Sequence, residues 1–150
     1  MSLLEYNKKV IPFNSGDHCW TFLSVVTDSG RDVAVDWDID RSFEALLAFG
    51  NFVKNDRKIK NPFEWTSWHH KMNGKPGKAG VIELRFTADK RQYRVLSVFN
   101  GSMRLVVLCI CYHKGNVWSP KDAENIATER AKAVESGKAK LNVIEIGNYL

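Results

Sequence analysis

The longest organised hydrophobic pattern in the chain spans residues 92–120, QYRVLSVFNGSMRLVVLCICYHKGNVWSP. Residues 93–99 and 104–112 are rich in β-branched, aromatic and aliphatic side chains, with Asn100-Gly101 between them. Asn-Gly supplies positive φ at little steric cost, so the pair predicts a hairpin turn between two strands. The second run is apolar at nearly every position, which predicts a central strand buried on both faces. Residues 81–86 (VIELRF) alternate, placing Ile82, Leu84 and Phe86 on one face and Glu83 and Arg85 on the other; residues 87–92 then form a turn. Upstream, residues 20–27 read as a strand and residues 28–30 (Asp-Ser-Gly) as a turn. Residues 32–40 alternate strictly, with Val33, Val35, Trp37 and Ile39 opposed to Asp32, Ala34, Asp36 and Asp38. That pattern predicts a half-buried strand whose outer acids discourage edge pairing.

Helical spacing appears in three places. Residues 41–53 follow Asp40 as N-cap and carry Phe43, Leu46, Leu47 and Phe52, with Gly50 weakening the end. Asn61-Pro62 opens a short second helix that is expected to include Trp65 and Trp68. Ser119 and Pro120 start a third, with Ala123, Ile126, Ala127, Arg130, Ala131 and Val134 on one face and Gly137 as its stop. Residues 72–80 form a glycine-rich basic connection without Walker spacing. Residues 138–150 read as a strand-like tail that completes the sheet edge, pairs with a second copy or packs beside the N-terminal hairpin. The expected fold is α+β: a mainly antiparallel, twisted sheet of four to six strands, N-terminal helices packed on one face, and a C-terminal helix. One domain is expected over residues 1–150, with 1–39 as an N-terminal strand/hairpin extension and 138–150 as a C-terminal tail.

Composition narrows the class. At 44% hydrophobic and 26% charged residues the chain is ordinary for a globular domain and unlike a disordered one. No run reaches the length of a membrane span, and the N-terminus lacks the order of a signal peptide, so a cytoplasmic setting is expected. Three cysteines fit that: Cys109 and Cys111 are two apart on one strand, which is not disulfide geometry, and they read as buried thiols. The net charge of +5 is unevenly spread. Residues 28–44 hold six acids and two bases, whereas residues 54–104 hold twelve bases and four acids. An acidic corner beside a long basic tract suits a polyanion partner on one face; simple surface solvation is the plainer alternative. His69 and His70, read as part of a helix, face different directions, which argues against a shared metal.

Glu83-Leu84-Arg85, then Tyr93-Arg94-Val95-Leu96, then an apolar strand ending in Lys114, then Pro120 with Ala123, Ala127 and Arg130 resemble the toxins of RelE/HigB type, and within them the phage-derived branch related to HigB. The resemblance runs over roughly residues 52–134. It implies a toxin of a type II toxin–antitoxin system, a ribosome-dependent messenger RNA endonuclease that uses the substrate's own 2′-hydroxyl without a metal or cofactor. The implied partners are an antitoxin of helix-turn-helix type, the ribosome and messenger RNA, with no membrane and no small-molecule cofactor. Such chemistry needs a base, cations for the phosphorane and an acid for the leaving 5′ oxygen. Arg94 matches the arginine of the family's Tyr-Arg step and is assigned phosphate charge stabilisation, for which a forked guanidinium is suited. Lys114 matches the lysine at the strand end and is the third candidate catalytic residue, beside Arg94 and His113. Beside it His113, with an ordinary pKa near neutrality, is the candidate for proton transfer; a structural histidine is the alternative. Arg85, Lys75, Lys78 and Arg104 are candidate RNA contacts. The chain departs from the family pattern at Lys114-Gly115, where relatives carry two bases, and Tyr149 near the end matches no motif. A non-catalytic binding module on the same scaffold, and more remotely a toxin of DNA gyrase, are the alternatives.

Overall fold

The computed structural model describes residues 18–149. The first 17 residues of the expected N-terminal extension, and Leu150, lie outside the described residues. Seven strands form one sheet: β1 (Thr21–Val26), β2 (Trp68–Lys71), β3 (Ile82–Ala88), β4 (Arg91–Phe99), β5 (Arg104–Lys114), β6 (Val117–Ser119) and β7 (Lys140–Val143). Their order is β2-β3-β4-β5-β1-β7, with β6 paired to the far end of β5. All neighbours are antiparallel except β1 and β5. The strand number exceeds expectation because β2 and β6, of four and three residues, are too short to carry a period of their own. The strand-like tail completes the sheet edge: Leu23, Ser24, Val25 and Val26 of β1 face Val143, Asn142, Leu141 and Lys140.

The sheet is covered on both faces. Helix α1 (Phe43–Asp56) packs Ala45, Phe49, Phe52 and Val53 onto Ile82, Leu84, Phe86, Tyr93 and Val95. A fully buried Phe49 ring contributes roughly 1.5–3 kcal/mol by leaving water. Helix α3 (Ala123–Glu135) covers part of the other face with Ala123, Ala127 and Ala131, whose small side chains let it lie close to Leu96, Cys109 and Cys111. β5 serves both layers, and residues Leu105 to Cys111 are all fully buried, as its unbroken apolar run requires. A bulge leaves Leu108 without a partner on β4, since Leu96 faces Cys109 while Ser97 faces Val107. Arg130 on α3 uses that carbonyl: its Nη1 donates to the Leu108 oxygen at 2.8 Å and to Asp38 Oδ2 at 2.7 Å.

Several local expectations are corrected. Residues 32–40 are not a strand. Asp32 makes an isolated bridge to Val26, and its Oδ1 accepts from the Ala34 N–H at 3.0 Å and from Ser24 Oγ at 2.6 Å, folding the chain into turns. Asp38 lies between Arg31 and Arg130, 2.7 Å from each. Burial alone raises its pKa, but hydrogen bonds from Arg130 and Arg31 outweigh that and hold it below the usual carboxylate range. The N-cap of α1 is Ser42 rather than Asp40; its side chain accepts from the Ala45 N–H at 3.0 Å. Asn61 caps as expected, but only a 3-10 turn follows (Pro62–Glu64), and Trp68 belongs to β2. Asp122, not Ser119, is the N-cap of α3, because β6 takes Ser119 into a pairing with Tyr112. The β4–β5 connection is a four-residue loop with positive φ at Gly101 and Met103 in place of a two-residue Asn-Gly turn. A two-residue turn of that kind instead joins β3 to β4 through Asp89 and Lys90, both at positive φ (53° and 62°). Asp89 accepts a hydrogen bond from Ser42, tying the turn to the start of α1.

Candidate functional site

Strand register decides which cations meet. Arg85 on β3 lies directly opposite Arg94 on β4, and Arg94 opposite Cys111 on β5. Facing positions share a side of the sheet, and so do positions two apart, so Arg85, Arg94, Glu83 and His113 all stand on the face that carries α3. The helix begins at Ala123, and its alanines pack in one cluster with Cys111, the residue opposite Arg94. At the centre is Glu83, only 1% exposed. Its Oε2 accepts from Arg85 Nε at 2.5 Å and lies 3.5 Å from Arg94 Nη1. One carboxylate therefore serves two guanidinium groups, which are 22% and 17% exposed, and a net positive charge is left. Arg85 Nη1 also donates to Gln92 Oε1 at 3.0 Å, fixing its direction.

His113 packs edge-on against Trp118 of β6, ring centroids 4.2 Å apart, and the Arg94 guanidinium lies 5.5 Å from the same indole. His113 Nε2 and Arg94 Nε are buried and find no hydrogen-bond partner among the described residues. Desolvation, followed by the charge of Arg94, lowers the His113 pKa below its ordinary 6.5, so the imidazole is neutral at pH 7 and able to accept a proton.

The other candidate residues are placed differently. Lys114 is exposed at the end of β5, and strand alternation sends it with Tyr112 toward the α1 face, opposite to His113 and Arg94. Its neighbour there is Arg91, whose guanidinium sits 3.9 Å from the Tyr112 ring centroid. A cavity of about 330 Å³ at this end of the sheet is bordered by residues of both faces, Lys90, Arg91, Arg94, His113 and Lys114 among them. Lys75 and Lys78 are exposed on α2 (Gly74–Lys78), before β3. Lys78 borders the β4–β5 loop and the last turn of α3. Arg104, whose Nε donates to the Asn100 carbonyl at 3.2 Å, is seven residues along β5 from Cys111, roughly 24 Å away. These three bases belong to the opposite end of the sheet from Arg94.

Three features escaped sequence reasoning. Glu83 reads as an outward partner of Arg85 by alternation, and nothing in the sequence marks it as the shared anchor of two arginines. Trp118 has no periodic neighbour to betray its role. His69 and His70 were expected on a helix; they lie on β2, where the register shifts between Trp68 and His70. The irregularity brings ring nitrogens of both histidines and a Glu83 oxygen within 4.8 Å of one another, so the helical argument against a common ligand does not apply. Desolvation and then the charge of Arg85 lower the His69 pKa.

The family described as phage derived protein Gp49-like (DUF891) matches residues 52–132, more than half of the chain and all of the Glu83, Arg85, Arg94 and His113 positions. The chain belongs to the Gp49-like family. This is a RelE-like toxin-related family, and the Gp49-like fold seen here, an open and mostly antiparallel sheet with three helices, is consistent with a RelE-like one. No curated protein and no solved structure matches the chain. None of the described helices is long and apolar enough to cross a membrane.

Proposed function

We propose that this Gp49-like chain is the toxin of a toxin–antitoxin pair and cuts messenger RNA on the ribosome, using the RNA's own 2′-hydroxyl as nucleophile. The observation that carries the reading is the cross-strand pair Arg85–Arg94 turned to the same sheet face as a neutral His113. In the reaction His113 takes the 2′-hydroxyl proton as the oxygen attacks the adjacent phosphorus. Arg94 supplies positive charge to the phosphorane oxygens, and Glu83 holds Arg85 and Arg94 in place so that little reorganisation accompanies the charge build-up. Lys114 and Arg91, on the rim, draw in the flanking phosphates. The 5′ oxygen leaves with a proton from solvent or from the protonated His113. A helix-turn-helix antitoxin that screens the basic face keeps the protein silent before release.

A second reading is favoured by one feature. Because Glu83 already engages both guanidinium groups, the same face also suits a module that binds RNA or protein without cutting. Induction of the chain in a bacterium, with messenger ends mapped by primer extension, separates the two. The nuclease reading expects new ribosome-dependent cuts that vanish in Arg94→Ala and in His113→Ala. Intact transcripts with normal growth support the binding module.

A further inference from the structure

The β2 histidines take no part in the reaction just described, yet their arrangement is specific. His70 Nδ1 lies 2.6 Å from the Lys71 carbonyl oxygen. A carbonyl only accepts, so Nδ1 carries the proton, and in the neutral ring Nε2 then presents a lone pair. That lone pair faces Glu83 Oε1 at 3.4 Å, acceptor against acceptor. Such a contact calls for a positive species between the two atoms. The separation is also that of two ligands on a tetrahedral zinc ion, about 3.4 Å for bonds of about 2.0–2.2 Å. A ring nitrogen of His69 joins them within 4.8 Å. The two arginines hold Oε2 and leave Oε1 turned to the histidines. A histidine ligand whose second nitrogen is fixed by a backbone carbonyl is the arrangement seen around protein-bound zinc.

We propose that His69, His70 and Glu83 Oε1 form a binding site for one divalent ion of the zinc class, with water completing a tetrahedron. Imidazole nitrogens with a single carboxylate select zinc, cobalt or nickel over magnesium and calcium, which prefer all-oxygen shells. The ion cross-links β2, a four-residue edge strand, to the start of β3. The site does not rest on the nuclease reading, since metal uptake is measured without RNA.

The test is calorimetric titration of the purified full chain with zinc chloride, paired with the visible spectrum of the cobalt(II)-loaded protein. The expected result is one ion per chain, the intense d–d bands of four-coordinate cobalt, and a higher melting temperature with zinc. Affinity should fall at least tenfold in His69→Ala and in His70→Ala, with magnesium giving no heat. His69 and His70 are exposed or half-buried, so both variants should keep the wild-type circular dichroism spectrum. Should one of them fail to fold, His70→Gln, which keeps polarity and bulk, replaces it. A plain imidazolium–carboxylate ion pair between His70 and Glu83 is the competing explanation, and it predicts no stoichiometric uptake. Absence of uptake, or uptake that survives both histidine substitutions, overturns the proposal.

Discussion

Glu83→Gln separates the stability of the site from its affinity for RNA. The substitution keeps the side chain's shape and one acceptor oxygen but removes the charge beneath Arg85 and Arg94. Breaking a buried ion pair from one side costs about 3–5 kcal/mol, because the remaining charge stays buried. Here the two guanidinium groups are 22% and 17% exposed and Gln still accepts from Arg85 Nε, so the loss is expected to fall below that range, at about 2 kcal/mol. For a chain of 150 residues that corresponds to a fall of roughly 4–8 °C in melting temperature. Binding moves the other way. One added net positive charge at about 6 Å from a phosphate is worth about 0.7 kcal/mol in water, or roughly a threefold lower Kd. The salt dependence also steepens, by up to about 0.7 in slope for each added contact to single-stranded RNA. Urea and thermal unfolding measure the first effect, and fluorescence anisotropy with a single-stranded RNA at several salt concentrations measures the second. Unchanged stability, or weaker RNA binding by a folded Glu83→Gln protein, refutes the claim that Glu83 restrains two cations facing the RNA.

Other consequences follow from the same geometry. Cleavage should rise with pH and level off below pH 6.5, since His113 acts as a base only when unprotonated and its pKa is lowered; His113→Ala should lose that limb and about 10²-fold or more in rate in a pH–rate profile. Asp38→Asn should cost about 2 kcal/mol in urea unfolding by leaving Arg31 and Arg130 without their shared carboxylate. Because the Asp38 pKa is lowered on folding, its contribution is complete above the ordinary value of 3.8 and is lost as pH falls through the lower folded value, so wild type and Asp38→Asn should converge in stability at acid pH. Gly77→Ala should destabilise by about 1–3 kcal/mol, because a Cβ there meets the Met72 carbonyl oxygen at 2.0 Å, where backbone cannot give way; thermal melts read this directly. Trp118→Ala should lower the cleavage rate about tenfold by releasing both His113 and Arg94, with far-ultraviolet circular dichroism unchanged.

The parts of the fold that the sequence made legible are those where one period dominates. The β5 run of residues 105–111 could only be a strand wet on neither side, and Ala123, Ala127 and Ala131 could only face a packed layer. Alternation also put Glu83 and Arg85 together on one side of β3. Prediction failed where a side chain competes with the backbone for hydrogen bonds. Asp32 closes a turn with its own carboxylate, so the alternating residues after it never extend into a strand. Trp65 and Trp68 have helical spacing, but the chain leaves its 3-10 turn after Glu64, and the aromatic rings are set by tertiary packing: Trp65 against Trp20 and Phe22, Trp68 against Phe63. The candidate site was readable only in part for a similar reason. Arg94 and His113 share a face because two antiparallel strands pair in one register, and no single segment encodes that register. The adjacent Lys114 shares His113's strand but not its face.

The central claim is that Arg94 and His113 act together on one phosphodiester whose neighbouring 2′-hydroxyl does the cutting. The most direct measurement uses purified programmed ribosomes and a messenger carrying a single 2′-deoxynucleotide at the mapped cut. Wild-type protein should cut the all-ribose messenger to a 2′,3′-cyclic phosphate end and leave the deoxy-substituted one intact, and Arg94→Ala should cut neither. Cleavage that persists at the deoxy position or in Arg94→Ala, or an all-ribose messenger left whole by the wild-type protein, contradicts it.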